Sequence, residues 1–165
     1  MGPILQIVRN LKKISIPLQI IVVTGTNFQL KKKLLFFKSS LFHIFEFTHQ
    51  ISELMDSADL ILTKPGGVTL SEALSKEKPI LVFQPLPGQE KRNVQYLLDK
   101  NAIEIVQNLN EISQCVENLF TKPKQRQKLI ANALKISTPY AAIHMAHKII
   151  FFLNKTKNKT HTIYA

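Results

Sequence analysis

Short β-branched runs alternate with helix-length segments along almost the whole chain, and this rhythm limits the fold more than any other feature. Residues 18–24 are nearly continuous in apolar side chains and are stopped by Gly25. A run without polar alternation predicts a strand buried on both faces, as in a parallel sheet. Four further strands are expected over 43–47, 59–63, 79–83 and 102–106; the run 59–63 is closed by Pro65-Gly66-Gly67 and the run 79–83 is followed by Pro85 and Pro87-Gly88. Helices are expected over 4–13, where Ile4, Leu5, Val8 and Leu11 share a face, and over 27–40, 52–57, 69–74, 90–100, 112–120, 123–134 and 139–153. Strands alternating with helices imply βαβ units, an α/β fold and a Rossmann-like parallel sheet flanked by helices. Crossovers in such a sheet are right-handed, and ligands bind beyond the carboxyl ends of its strands. The glycine turns at Gly25 and at Gly66-Gly67 both follow strands and so fall on that edge.

The size of the chain, 165 residues, suits one domain. We expect it over 1–153, with 154–165 as a basic mobile tail, because that stretch is polar and aperiodic. The single cysteine, Cys115, excludes an internal disulfide and fits a reducing, cytoplasmic compartment. No apolar run approaches the ~18 residues that a bilayer span needs. The net charge of +11 draws a protein toward anionic surfaces. Lys31 to Lys33, the group Lys122, Lys124, Arg126 and Lys128, and the group Lys148, Lys155, Lys157 and Lys159 concentrate it. Two readings remain: a solvated basic face, or a peripheral position on an anionic membrane, at the inner face of the plasma membrane. Nucleic acid is not expected, since the cations are not interleaved with aromatic stacking platforms.

The segment Thr63-Lys64-Pro65-Gly66-Gly67-Val68-Thr69-Leu70-Ser71-Glu72 carries the most chemistry. It reads as strand, glycine turn and helix. Glycines allow a ligand to approach the backbone closely, and the unpaired N–H groups of a helix start make an anion site. Val68 and Thr69 would supply such groups. Glu72, about one turn deeper, is placed to accept hydrogen bonds from a ribose diol. The same pattern is also compatible with an ordinary tight turn and a surface glutamate. A second segment, Pro85-Leu86-Pro87-Gly88-Gln89-Glu90, also leads from strand to helix. An amide and a carboxylate there can read sugar hydroxyls, or simply cap the helix. His144 and His147 lie three apart on a helix but have no third ligand nearby, so no metal site is expected.

Residues 55–74, followed by Pro87-Gly88-Gln89-Glu90 and Asn93, resemble the C-terminal domain of diacylglycerol glucosyltransferases. They are similar to monogalactosyldiacylglycerol synthases and, more distantly, to MurG, all glycosyltransferases of the GT-B fold. Two motifs stand in order at the family's separation, and the resemblance runs from about Gly2 to Val106. It implies a hexosyltransferase domain that binds a UDP-sugar as donor substrate, without a cofactor, for transfer to a lipid acceptor such as diacylglycerol. Gly66, Gly67, Val68 and Thr69 would cradle the diphosphate, Glu72 the ribose, and Gln89 and Glu90 the sugar. Thr24-Gly25 matches a turn near the nucleotide, and Phe47-Thr48 matches a loop that reads the uracil. The family carries glycine where this chain has Glu46 and Glu77.

Members of the family also have a strand and a glycine-rich loop just ahead of the position matched by Gly2-Pro3 and, besides these, a whole N-terminal domain that carries the acceptor site and the catalytic base. The expectation is therefore half of a GT-B enzyme without its first strand, with no catalytic residue assigned. It would pair with an N-terminal acceptor domain or a separate partner subunit, as in the two-piece transferase of N-acetylglucosamine, or be a non-catalytic remnant. His43 and His49 are candidate bases only by residue type.

Overall fold

Residues 3–83 and 89–157 are described in a computed structural model, apart from the side chains of Gln89 and Lys157. The elements run α1 (Ile4–Leu11), β1 (Ile20–Val23), α2 (Phe28–Leu34), β2 (Phe42–Phe45), α3 (Ile51–Ser57), β3 (Ile61–Thr63), α4 (Gly67–Leu74), β4 (Ile80–Phe83), α5 (Gln89–Asp99), β5 (Glu104–Val106), α6 (Ile112–Thr121), α7 (Pro123–Ile136) and α8 (Ala141–Lys157). The expected alternation is present, and every named strand pair is parallel. Hydrogen bonding divides the strands into two groups, β1-β2 and β3-β4-β5.

β4 is the spine. All four of its residues are buried. The pleat sends Ile80 and Val82 into a core built with α3, α4, α5 and α7, while Leu81 and Phe83 enter a second core with α1, α6 and α7. Its two covered faces explain the lack of polar alternation in its sequence. Each such fully buried aliphatic contributes about 1.5–3 kcal/mol of burial. A third cluster joins α1 to β1, β2 and α2 through Val8, Leu34 and Phe42.

α1 is stitched in by polar groups as well as by Ile7, Val8 and Leu11. The buried Asn10 donates from Nδ2 to the Leu109 carbonyl at 2.8 Å, and Ser113 Oγ donates to the Asn10 carbonyl at 2.6 Å. The turn after α1 is pinned to α6, because Glu117 accepts from both the amide and the hydroxyl of Ser15, each at 2.9 Å.

Three expectations change. β1 was expected to be buried on both faces, yet Ile21 is 41% exposed; among the described residues β1 is paired with β2 alone and has no neighbour on its other edge. The helix expected over 27–40 stops at Leu34 and tightens into a 3-10 turn at Leu35–Phe37. Its apolar run is too dense for one buried stripe: Leu34 is buried, whereas Phe36 stands 90% exposed. α8 continues through Asn154–Lys157, the first residues assigned to the tail, and 158–165 lie outside the described residues. From Pro139 to Thr156 every residue is exposed.

Candidate functional site

The start of α4 stands at the carboxyl end of β3. Buried Pro65 turns the chain, and Gly66 takes the N-cap position in extended geometry, φ −66° and ψ 131°. Leu70 N donates to Gly66 O at 2.9 Å, the first intrahelical bond. No side chain caps this end, and the first turn holds no acidic residue. The amides of Gly67, Val68 and Thr69 therefore precede the ladder and carry the positive end of the helix dipole. The helix begins at Gly67 rather than at Thr69, which adds one amide to the expected set.

Neither glycine is forced by the protein around it. A Cβ on Gly66 would lie 3.9 Å from Thr69 Oγ1, and one on Gly67 3.6 Å from Asn93 Nδ2, both ordinary contacts. What the glycines provide is bare backbone beside open space. The Gly67–Asn93 approach also brings the two sequence motifs together, since Asn93 lies on α5. Asn93, the last residue of the second motif, is brought beside Gly67 only by the fold.

Gly25 follows β1 with φ +57°, a left-handed value that favours glycine, and space around it is open. Thr24 is buried, and its hydroxyl and amide both donate to the Phe45 carbonyl, at 3.1 and 2.9 Å. Its work in the structure is to hold the β1 and β2 ends together. Asn27 then caps α2 by accepting from Leu30 N at 2.9 Å.

Thr24, Gly25, Lys64 and Thr69 line one cleft of about 880 Å³ that opens between β1 and β3. Glu72 is exposed and follows Thr69 by three positions, which puts the two on one side of α4. It does not line the cleft, and neither do Phe47, Thr48, Gly66, Gly67, Val68 and Glu90. Phe47 is exposed and meets the His49 ring edge-on at 4.9 Å, while Thr48 Oγ1 accepts from Gln50 N at 3.0 Å and shapes the loop. The side chain of Gln89 lies outside the described residues, although its backbone opens α5. His43 sits on β2 with Nε2 buried and no partner among the described residues.

Arg9, Lys33 and Lys64 line the cleft and no carboxylate does, so its potential favours anions. Among the described residues no group of three His, Cys, Asp or Glu is arranged to hold a metal. The two perturbed groups stand apart from the cleft lining: burial, with Glu104 and Glu111 adding to it, pushes the Cys115 thiol up, and the Ser15 bonds hold Glu117 below the usual carboxylate range. Glu46 and Glu77 differ in their settings. Glu46 pairs with Lys31. Glu77 adopts φ 55°, the left-handed geometry expected at that helix end.

An uncapped helix start at the carboxyl edge of parallel strands is a geometry at which α/β domains bind anionic ligands. Residues 3–149 match the glycosyltransferase family 28 C-terminal domain, and the chain belongs to that family. It is 33% identical over 140 residues to a processive diacylglycerol beta-glucosyltransferase of Bacillus cereus strain B4264, covering 82% of this chain and 36% of that protein. The chain thus spans about a third of the length of such curated relatives. The crystal structure of Acinetobacter baumannii MurG matches with a TM-score of 0.71 at 20% identity, over 87% of this chain and 44% of MurG. An Anabaena protein, HepE, solved in complex with UDP-glucose, matches with a TM-score of 0.67 at 16% identity, over 93% of this chain and 45% of HepE. No helix among the described residues is long and apolar enough to cross a membrane.

Proposed function

We propose that this chain is the donor-binding half of an inverting hexosyltransferase that takes a UDP-sugar and serves a lipid acceptor such as diacylglycerol. The carrying observation is the uncapped start of α4, three amides without a helical partner beside a cation-lined cleft. A diphosphate supplies the missing acceptors. The same amides oppose the charge that grows on the diphosphate as the bond to the anomeric carbon breaks and UDP leaves with the electron pair. Glu72, one turn on, accepts from the ribose hydroxyls. Gln89 and Glu90 at the head of α5 hold the sugar, with Asn93 keeping α5 against Gly67. The exposed Phe47 and the backbone beside Thr48 receive the base.

The acceptor and the group that removes its proton belong to other polypeptide, an N-terminal acceptor domain or a separate subunit. The match to about a third of the relatives' length supports this. So does α8, which exposes Ile149, Ile150, Phe152 and Leu153 without covering them. Such a surface suits a partner domain, with the basic exposed start of α7 turned to the anionic inner face of the plasma membrane. Donor binding needs no metal, because the amides and cations already match the diphosphate.

Calorimetry of the chain with UDP and with ADP tests the reading. UDP binds, ADP binds at least about tenfold more weakly, Glu72→Ala weakens UDP by a similar factor, and EDTA changes nothing. Equal affinity for the two nucleotides, or an indifferent Glu72→Ala, removes the uridine-ribose site.

A further inference from the structure

α2 and the 3-10 turn after it face two ways. Leu30 and Leu34, one turn apart, pack inward with Val8 and Phe42. The helical period puts Phe28, Lys32 and Leu35 on the opposite side. All three are exposed, Phe28 by 64%. Phe36 continues this outer stripe on the turn, and Leu41 stands exposed just ahead of β2. Lys38 is exposed between them, and Lys31 pairs with Glu46. The surrounding sequence is one-sided in charge. Residues 1–45 hold Arg9, Lys12, Lys13, Lys31, Lys32, Lys33 and Lys38, seven cations in all, and no carboxylate; Glu46 is the first.

We propose that the outer stripe of α2 and its 3-10 turn seats the domain on an anionic bilayer surface. Phe28, Leu35, Phe36 and Leu41 enter the boundary between headgroups and acyl chains. Lys32 and Lys38 meet lipid phosphates. The contact is interfacial, with the helix lying along the surface and spanning nothing.

The occupant follows from the mixture of side chains. Protein interfaces are depleted in lysine, whereas an interfacial stripe sets phenylalanine and leucine among lysines whose long stems reach back to the headgroups. Single-stranded nucleic acid requires stacking rings along a basic groove, and here two aliphatic side chains share the ridge with the two rings. The run of cations without a carboxylate complements anionic lipid. The basic start of α7 lacks the mixture, since residues 122–128 expose no large apolar side chain. The seat also sets an orientation. α2 joins the parallel strands β1 and β2 and so runs antiparallel to both. A bilayer laid along α2 therefore runs beside the strands, and the start of α4 at their carboxyl ends opens along the surface. In the proposed function this brings the donor beside the plane that holds a lipid acceptor; the seat itself rests on the stripe and not on that reading.

The test uses the full 165-residue chain, which holds no tryptophan, so Phe36→Trp is a single reporter at the stripe. Tyr96→Trp on α5 and Phe152→Trp on α8 report from other exposed places. With vesicles of equimolar phosphatidylcholine and phosphatidylglycerol, the emission of Phe36→Trp should move to the blue and be quenched by lipids brominated on the acyl chain. Tyr96→Trp should not respond, and vesicles of phosphatidylcholine alone should leave Phe36→Trp unmoved. In vesicle flotation, Phe36→Ser and Lys32→Glu should each weaken binding by about fivefold or more. Both side chains are exposed, so both variants should keep the circular dichroism of the parent. Should one fail to fold, the other and the tryptophan reporter still decide. Full-strength flotation of both variants, quenching of Phe152→Trp with Phe36→Trp unmoved, or a response of Phe36→Trp to single-stranded RNA but not to vesicles would overturn the proposal. The UDP titration is run without lipid, so either idea can fall without the other.

Discussion

Glu77 holds a left-handed backbone conformation that a residue with a Cβ adopts only at a cost. Its φ of 55° costs a residue with a Cβ about 1–2 kcal/mol, partly offset by the greater unfolded-state freedom of glycine. Glu77→Gly should therefore stabilise the chain by about 0.5–1 kcal/mol, read as a higher urea midpoint at unchanged slope; a lower midpoint would contradict the strain. Glu46 is different, because it pairs with Lys31 on α2 and its exchange for glycine removes a contact. Cys115 gives a pH prediction. Its folded pKa is raised by burial and by Glu104 and Glu111, so the unfolded thiol ionises first. The stability it lends is intact below the unfolded thiol pKa and is lost as pH climbs through the folded one. Native chain should thus react slowly with iodoacetamide at mildly alkaline pH and faster once urea unfolds it; equal rates would contradict that environment. At this scale the sequence showed which residue types stood at each turn. It could not show that Thr24 would spend its hydroxyl on the Phe45 carbonyl, because that bond depends on two strands meeting.

Strand centres were legible because burial on two faces suppresses alternation, and β4 demonstrates it with four buried residues. Leu81→Ala should cost about 2–5 kcal/mol, measured by chemical denaturation, since Leu81 is wholly buried between α1, α6 and β5. A loss well under 1 kcal/mol would mean that this core is loosely packed. The ends of elements were less legible. Residues 18 and 19 precede the ladder, and the Leu-Phe-Phe run after α2 tightens into a 3-10 turn because only one of its faces has a partner. The turn after α1 was silent in sequence, yet Ser15 fastens it to Glu117. Glu117 has its folded pKa lowered, so its contribution is present above the unfolded value and is lost as pH falls through the folded one. Ser15→Ala should move the Glu117 titration, followed by carboxyl-carbon NMR, back toward an ordinary glutamate. No movement would place the cause elsewhere.

For the molecule as a whole, the division of five parallel strands into two groups is the feature that composition and periodicity leave unseen. Periodicity reports that a strand is apolar; it does not report which edge finds a neighbour. Among the described residues, one edge of β1 and the whole of α8 from Ala141 to Thr156 are left uncovered. On the proposed function, in which the acceptor and its base lie on other polypeptide, the purified chain should turn over no UDP-glucose with diacylglycerol even where it binds UDP; turnover by the chain alone would contradict that. The most direct measurement of the central claim is a UDP titration followed at backbone amides. Saturable shifts largest at Gly67, Val68 and Thr69, with Gly25 following, are predicted. Shifts confined to the lysine-rich start of α7, with the head of α4 silent, would contradict it.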